Sequence, residues 1–270
     1  MKTQQIIKYL TPPIILDIYK QYMCKYGFFG NFPSWDDAVK SSNGYDSDVI
    51  LNKVKNSLLK VKEGKAAYER DSVIFDKIQY SWPLLTGLLW IASRNENRLN
   101  LVDFGGSLGS AYYQNKKFLM HLHELKWSII EQPKFVECGK QYFENENVRF
   151  YYTLEDCIKK QNPDTILLSS VLQYLEKPYD LLEEIIDREF KYIILDRTPF
   201  LETGEDKITI QKVSPEIYRA TYPAWIFNFE KFLKFFSKNY ELVSDFESTD
   251  RANINTVTFR GFIFRIKQNA

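Results

Sequence analysis

The stretch from Leu99 to Ser110, reading Leu-Asn-Leu-Val-Asp-Phe-Gly-Gly-Ser-Leu-Gly-Ser, constrains the fold more than any other part of the chain. A short apolar run closes on Asp103, and Gly105, Gly106 and Gly109 follow within six residues. The pattern predicts a buried strand, a tight turn and a helix start. Glycine reaches backbone conformations closed to other residues and lets a ligand lie against the main chain. The turn is therefore the first candidate for a binding site.

Downstream of the turn, strand-like and helix-like segments alternate. Strands are predicted at Trp127–Ile130, Val148–Tyr152, Thr165–Ser169 and Tyr192–Leu195, with helices between them. From Asp103 to Glu131, which closes the second strand, is 131 − 103 = 28 residues, enough for one helical crossover. Trp225–Ser237 reads as a helix, then Tyr240–Phe246 and Val257–Ile266 read as strands. The ten residues between those two are too few for a crossover, so they should pair antiparallel. The predicted fold is α/β, a Rossmann-like and mostly parallel sheet with an antiparallel C-terminal strand. That is the layout of S-adenosylmethionine-dependent methyltransferases.

The first part of the chain reads differently. An apolar stripe through Ile6, Leu10, Ile14 and Ile18 is broken at Thr11-Pro12-Pro13, and Gly27–Pro33 reads as an aromatic-rich loop. Ser34 is a predicted N-cap, and a helix should run from Asp46 to about Glu63, stopped by Gly64. Residues 1–80 are thus predicted as a helical cap and 81–270 as the core. No run of 18 apolar residues occurs, so a soluble cytoplasmic protein is expected. A net charge of +1 gives no reason to invoke nucleic acid or an anionic membrane, leaving a small-molecule or glycan-precursor partner. Three scattered cysteines without a CxxC pair argue for a reducing compartment and against structural zinc; no metal is expected.

In an open parallel sheet the ligand sits outside the carboxyl ends of the strands. That rule selects Asp103 with Gly105, Gly106, Ser107 and Gly109, then Glu131-Gln132, Ser169-Ser170 and Asp196-Arg197. Glu131 has two acceptor oxygens for the two hydroxyls of an adenosine ribose. The turn is unlike a dinucleotide fingerprint, because an acid stands two residues before Gly105 and the spacing differs. It is close to acid-x-Gly-x-Gly-x-Gly, with Ser107 departing at the middle glycine.

Several strings are more specific: Ser42-Asn43-Gly44-Tyr45-Asp46, Tyr68-Glu69-Arg70-Asp71-Ser72-Val73, Asp103 to Ser110, Ser169 to Tyr174, and Asp196-Arg197-Thr198-Pro199-Phe200. Over roughly residues 30 to 250 they resemble a family of bacterial class I methyltransferases encoded among surface-polysaccharide biosynthesis genes. The resemblance implies methyl transfer from S-adenosylmethionine to a sugar or related precursor. For an alcohol acceptor a base is needed. The two histidines, His121 and His123, lie before strand two, at the far end from the site. Asp196 is the better base and Arg197 a holder of substrate phosphate or carboxylate, with an ion pair that merely positions the loop as the competing reading. Tyr174 and Gln173 are placed to orient the acceptor, Tyr222 and Trp225 to form an apolar or sugar-stacking wall, and Tyr45, Arg70 and Asp71 to close a lid. Two other functions stay open: an NAD-dependent sugar oxidoreductase, and a non-catalytic cofactor-binding scaffold.

Overall fold

Strand β4 (Arg98–Phe104) is buried along most of its length and pairs in parallel with β5 (Glu124–Ile130) on one side and β7 (Thr165–Ser169) on the other. It belongs to a computed structural model that describes residues 25–44 and 47–268. Tyr45 and the stripe from Ile6 to Ile18 lie outside the described residues. Beyond β5 lies β6 (Val148–Tyr151); beyond β7 lies β8 (Tyr192–Leu201). β12 (Val257–Ile266) runs antiparallel to β8, and β11 (Tyr240–Arg251) pairs with β12. The spatial order β6-β5-β4-β7-β8-β12-β11 is the predicted Rossmann-like, mostly parallel sheet with its antiparallel end.

Helices cover both faces, because parallel strands buried on two sides need apolar partners on each. On one face α3 (Trp82–Ser93), α4 (Ser110–Leu119) and α5 (Pro133–Tyr142) pack with α2 (Ser47–Lys62) over Leu101, Trp127 and Ile129. On the other, α6 (Leu154–Gln161), α7 (Pro178–Asp187) and α8 (Phe229–Phe236) pack over Val102, Ile166 and Leu168. Phe232 of α8 meets the rings of Phe200, Phe227, Phe236 and Phe262 at 5.0–6.1 Å, which is where much of the aromatic content is used. Gly139 lets α5 pack directly on the sheet. A Cβ there would sit 2.4 Å from the ring of buried Phe150. Gly139→Ala should therefore destabilise, since overpacking costs about 1–3 kcal/mol and helix propensity returns at most about 1. A thermal melt checks it, with Tm expected to fall by a few degrees.

The first described segments carry strands as well as helices. Gly27–Phe32 is strand β1, not a loop, and pairs antiparallel with β9 (Lys207–Lys212). Helix α1 (Trp35–Lys40) is capped as predicted, with Ser34 Oγ accepting from the Asp37 amide at 3.2 Å. Tyr68–Arg70 (β2) and Val73–Phe75 (β3) form a hairpin turning at Asp71 and Ser72, both left-handed at φ 52° and 71°. Trp225 is not helical: it lies in β10 (Thr221–Asn228), and α8 begins only after Asn228, whose side chain accepts from the Lys231 amide.

β10 explains how the site is framed. β8 is ten residues long and changes neighbours along its length. Its first half pairs with β7 up to Ser169↔Asp196; its last two residues pair with β10 at Phe227↔Phe200 and Asn228↔Leu201. Between those pairings the sheet forks, and the fork opens beside Arg197.

Candidate active site

The glycine turn is built around a buried acid. Asp103 is 1% exposed and its Oδ2 accepts from Trp127 Nε1 at 3.0 Å. A Cβ on Gly106 would lie 2.4 Å from the Asp103 carboxyl carbon, and one on Gly105 (φ +71°) 2.5 Å from Val171 Cγ2. Both glycines are thus fixed by close approach. Ser107 is left-handed as well, at φ 54°, which costs a residue with a Cβ about 1–2 kcal/mol. Its amide donates to Glu131 Oε1 at 3.1 Å, a charge-assisted bond that offsets the strain. Oε2 of Glu131 accepts from the Gln132 amide at 2.8 Å. Burial raises the Glu131 carboxyl above its ordinary range.

Burial also pushes Asp103 up to about 7, against the Trp127 hydrogen bond, which lowers it, with Glu131 raising it further. The folded value lies above the unfolded one. Folding therefore favours the neutral acid, and the cost to stability grows as pH rises from about 4 to about 7. Asp103→Asn keeps an acceptor for Trp127 and removes the charge. The variant should melt higher than wild type at pH 8 and converge on it near pH 4 in paired thermal scans.

A second buried acid closes the turn from above. Glu69 of β2 is 1% exposed, accepts from Ser110 Oγ at 2.5 Å and from the Ser72 amide at 2.7 Å. Burial raises it to about 7, despite those two bonds. Ser110 opens α4, so the hairpin is pinned to the helix N-terminus by a carboxylate. Nearby Tyr68 Oη accepts from Gln114 Nε2 at 3.0 Å.

At the fork, Asp196 is 2% exposed and accepts from Ser248 Oγ at 3.2 Å. Burial raises it to about 6; Arg197 and Ser248 pull the other way. Arg197 is left-handed at φ 56°. Its amide donates to Ser248 Oγ, its carbonyl accepts from Gln173 Nε2 at 3.2 Å, and its guanidinium bridges Asp71 and Asp250. Tyr174 Oη donates to Gln211 Oε1 at 2.7 Å, with its ring edge-on to Tyr222 at 5.3 Å. Tyr218 and Tyr222 bring their hydroxyls to 3.4 Å.

One cavity of about 1210 Å³ joins these groups. Asp103, Gly105, Gly106, Ser107, Glu131, Gln132, Ser169, Ser170, Asp196, Arg197, Tyr174, Tyr222, Arg70 and Asp71 all line it. Gly109, Gln173 and Trp225 do not. Gly109 (φ +99°) bends the chain into α4. Gln173 is fully buried beneath the floor, tying Ser170 Oγ (3.1 Å) to the Arg197 carbonyl. Trp225 stacks on Trp35 at 6.1 Å, donates to the Leu175 carbonyl and faces a separate hollow beside Asp206 and Lys231. His121 and His123 are exposed in the α4–β5 connection.

Gln211, Tyr218, Ser248 and Asp250, which sequence did not single out, complete the cavity, together with Glu69 of the Tyr68–Val73 string. Strict alternation of Ile208 and Ile210 with Thr209 and Gln211 was a readable strand signal. Glu69, Ser248 and Asp250 lie in polar stretches that carry no such signal. Among the described residues no group of three or more His, Cys, Asp or Glu is arranged to hold a metal, and no helix is long and apolar enough to cross a membrane.

The fold and the cavity define an open α/β sheet with a polar ligand site at its carboxyl edge. No protein-family model and no curated protein matches the chain. Among solved structures it is similar to the N-terminal domain of EvdMO1, crystallised in the presence of SAH and D-fucose. The TM-score is 0.47 at 13% identity, covering 83% of this chain and 98% of that one. It is also similar to N-methyltransferase NodS from Bradyrhizobium japonicum WM9 in complex with S-adenosyl-L-homocysteine (0.44, 12%, 79% and 100%). A third is magnesium protoporphyrin IX methyltransferase from Synechocystis PCC 6803 with bound SAM (0.44, 10%, 98% and 96%). Likeness at this level carries no argument about chemistry, which rests on the site itself.

Proposed function

We propose that the chain is an S-adenosylmethionine-dependent methyltransferase that methylates a hydroxyl of a sugar or sugar-like precursor. The observation that carries the donor half is Glu69. An anionic pyrophosphate needs the first turn of α4, where the amides and the helix dipole favour negative charge. In this chain a carboxylate already stands there, on Ser110 Oγ. Asp103 and Glu131 add two more acids around the same turn. Burial already holds Asp103 and Glu69 at about 7, so a phosphate here would push both further toward the neutral acid and find no cationic partner among them, which disfavours a dinucleotide phosphate. A ligand with an ammonium and a sulfonium meets the opposite situation, since a nearby cation favours the ionised form of these raised acids.

In this reading the amino-acid moiety lies along the cavity wall formed by Gly105, Gly106 and Ser107, with Asp103 facing its ammonium. Glu131 takes the ribose hydroxyls with lone pairs that Ser107 and Gln132 leave free, and Ser169 and Ser170 complete the rim. When bound, S-adenosylmethionine supplies an electrophilic methyl group. The chain's own residues do the rest. Asp196 receives the acceptor proton, Ser248 orients its carboxylate, Tyr174 positions the acceptor through the bond it makes with Gln211, and the β2–β3 hairpin with Arg70 and Asp71 excludes water.

Calorimetric titration of the full chain tests the donor. S-adenosylhomocysteine should bind and NAD should not. Binding of NAD alone would establish the oxidoreductase reading instead. Labelled methyl incorporation into sugar acceptors then separates an enzyme from a cofactor-binding scaffold.

A further inference from the structure

Arg197 stands where an anionic acceptor group would be held, yet its guanidinium is already bracketed. Nε and Nη2 donate to the two oxygens of Asp250 at 2.9 and 3.2 Å, and Nη2 also donates to Asp71 Oδ2 at 2.6 Å. Asp196 adds a third carboxylate one residue away. Another cation of this wall, Arg70, lies over the Phe75 ring at 5.8 Å and reaches Thr249 Oγ1 at 3.4 Å. Asp71, Asp196 and Asp250 share this wall with Arg70, Arg197 and Arg251, and Arg197 is the guanidinium that two of the acids already saturate. Neutral polar groups also face this end of the cavity: the hydroxyls of Tyr174, Tyr218 and Tyr222 and the Gln211 amide. A phosphate or carboxylate held by Arg197 must displace a carboxylate from a guanidinium whose side chain is 19% exposed. It would then sit among three acids in a partly dry cleft, where like charges are poorly screened.

We propose that Asp71 and Asp250 act as a charge filter, so that this end of the cavity takes an uncharged, hydroxyl-bearing acceptor and rejects anions. That its guest is a methyl acceptor rests on the methyltransferase reading; the charge preference belongs to the cavity end alone. If the precursor carries a phosphate, that group lies outside the fork.

The filter is tested without the donor, by titrating inorganic phosphate into the full chain at constant ionic strength and pH 8. The comparison is between wild type and Asp71→Asn. Asparagine keeps the shape of the side chain and suits the left-handed φ of 52° at position 71. Wild type should give no saturable heat, and Asp71→Asn should bind phosphate at least tenfold more tightly than the wild-type limit. Saturable binding to wild type overturns the proposal, and so does a variant with a wild-type melt that gains nothing. Asp250→Asn, read the same way, stands in if Asp71→Asn does not fold. A parallel titration with S-adenosylhomocysteine keeps the two readings apart. Absence of heat there defeats the methyltransferase reading, while the phosphate comparison still decides the filter.

Discussion

Asp196→Asn should lower kcat by about 10²–10⁴-fold, the usual contribution of a positioned general base. The substitution keeps an acceptor for Ser248 Oγ, so the fork should retain its geometry. The pH profile distinguishes a base from a structural acid. Burial holds Asp196 up at about 6, and a base works only when ionised. Wild-type kcat/KM should therefore rise through pH 6 and level off above it. The asparagine variant should be slow at every pH and lack that limb. A variant within threefold of wild type, with the limb intact, would assign the proton to another group. It would leave Asp196 as the residue that holds Ser248 against the Arg197 amide.

The second large effect is on donor affinity. Glu131→Ala removes both proposed hydroxyl acceptors and strands two amides, those of Ser107 and Gln132. Hydrogen bonds to a charged group contribute about 1.5–3 kcal/mol each, so two correspond to at least about 10²-fold in affinity for S-adenosylhomocysteine. Ser107 is the sensitive neighbour, because its left-handed backbone is held by the same carboxylate. Calorimetry on both proteins measures the loss, and a change below threefold would take the ribose away from Glu131.

The donor half of the site was legible because it is local. Asp103 to Gly109 is one turn, and Glu131 comes after it by a crossover of ordinary length. The five parallel strands were legible for a related reason: each is an apolar run bounded by turn residues and buried on both faces. The acceptor half is assembled from distant pieces. Gln211 comes from the middle of the β1-β9-β10 extension, and Ser248 and Asp250 from the polar end of β11; Glu69, on the donor side, comes from a three-residue strand. Of these only Gln211 sits in a periodic run, the alternation of Ile208 and Ile210 with Thr209 and Gln211. β1 was masked by its own glycines, since Gly27 and Gly30 interrupt an aromatic run that only pairing with β9 makes a strand. Trp225 is misread from sequence because an apolar run from Trp225 to Phe236 fits either period, and Asn228 is the residue that ends one and begins the other.

The position of β12 also governs the order in which the molecule can assemble. The last described strand is an interior one: it lies between β8 and β11, and both edges of it are paired. β1 is likewise tied to the far end of the chain, with Phe28 and Asn253 exchanging bonds of 2.6 and 3.0 Å across 225 residues. Such non-local pairings slow folding, because long loops must close before the contacts form. During synthesis the first five parallel strands can pair as they emerge, but the outer flank of β8 stays open until residues 257–266 arrive. The wall that β11 builds with Ser248 and Asp250, joined to β8 only through β12, is therefore the last part of the cavity to be completed. A chain shortened by those ten residues would keep the glycine turn and lose the wall that faces it.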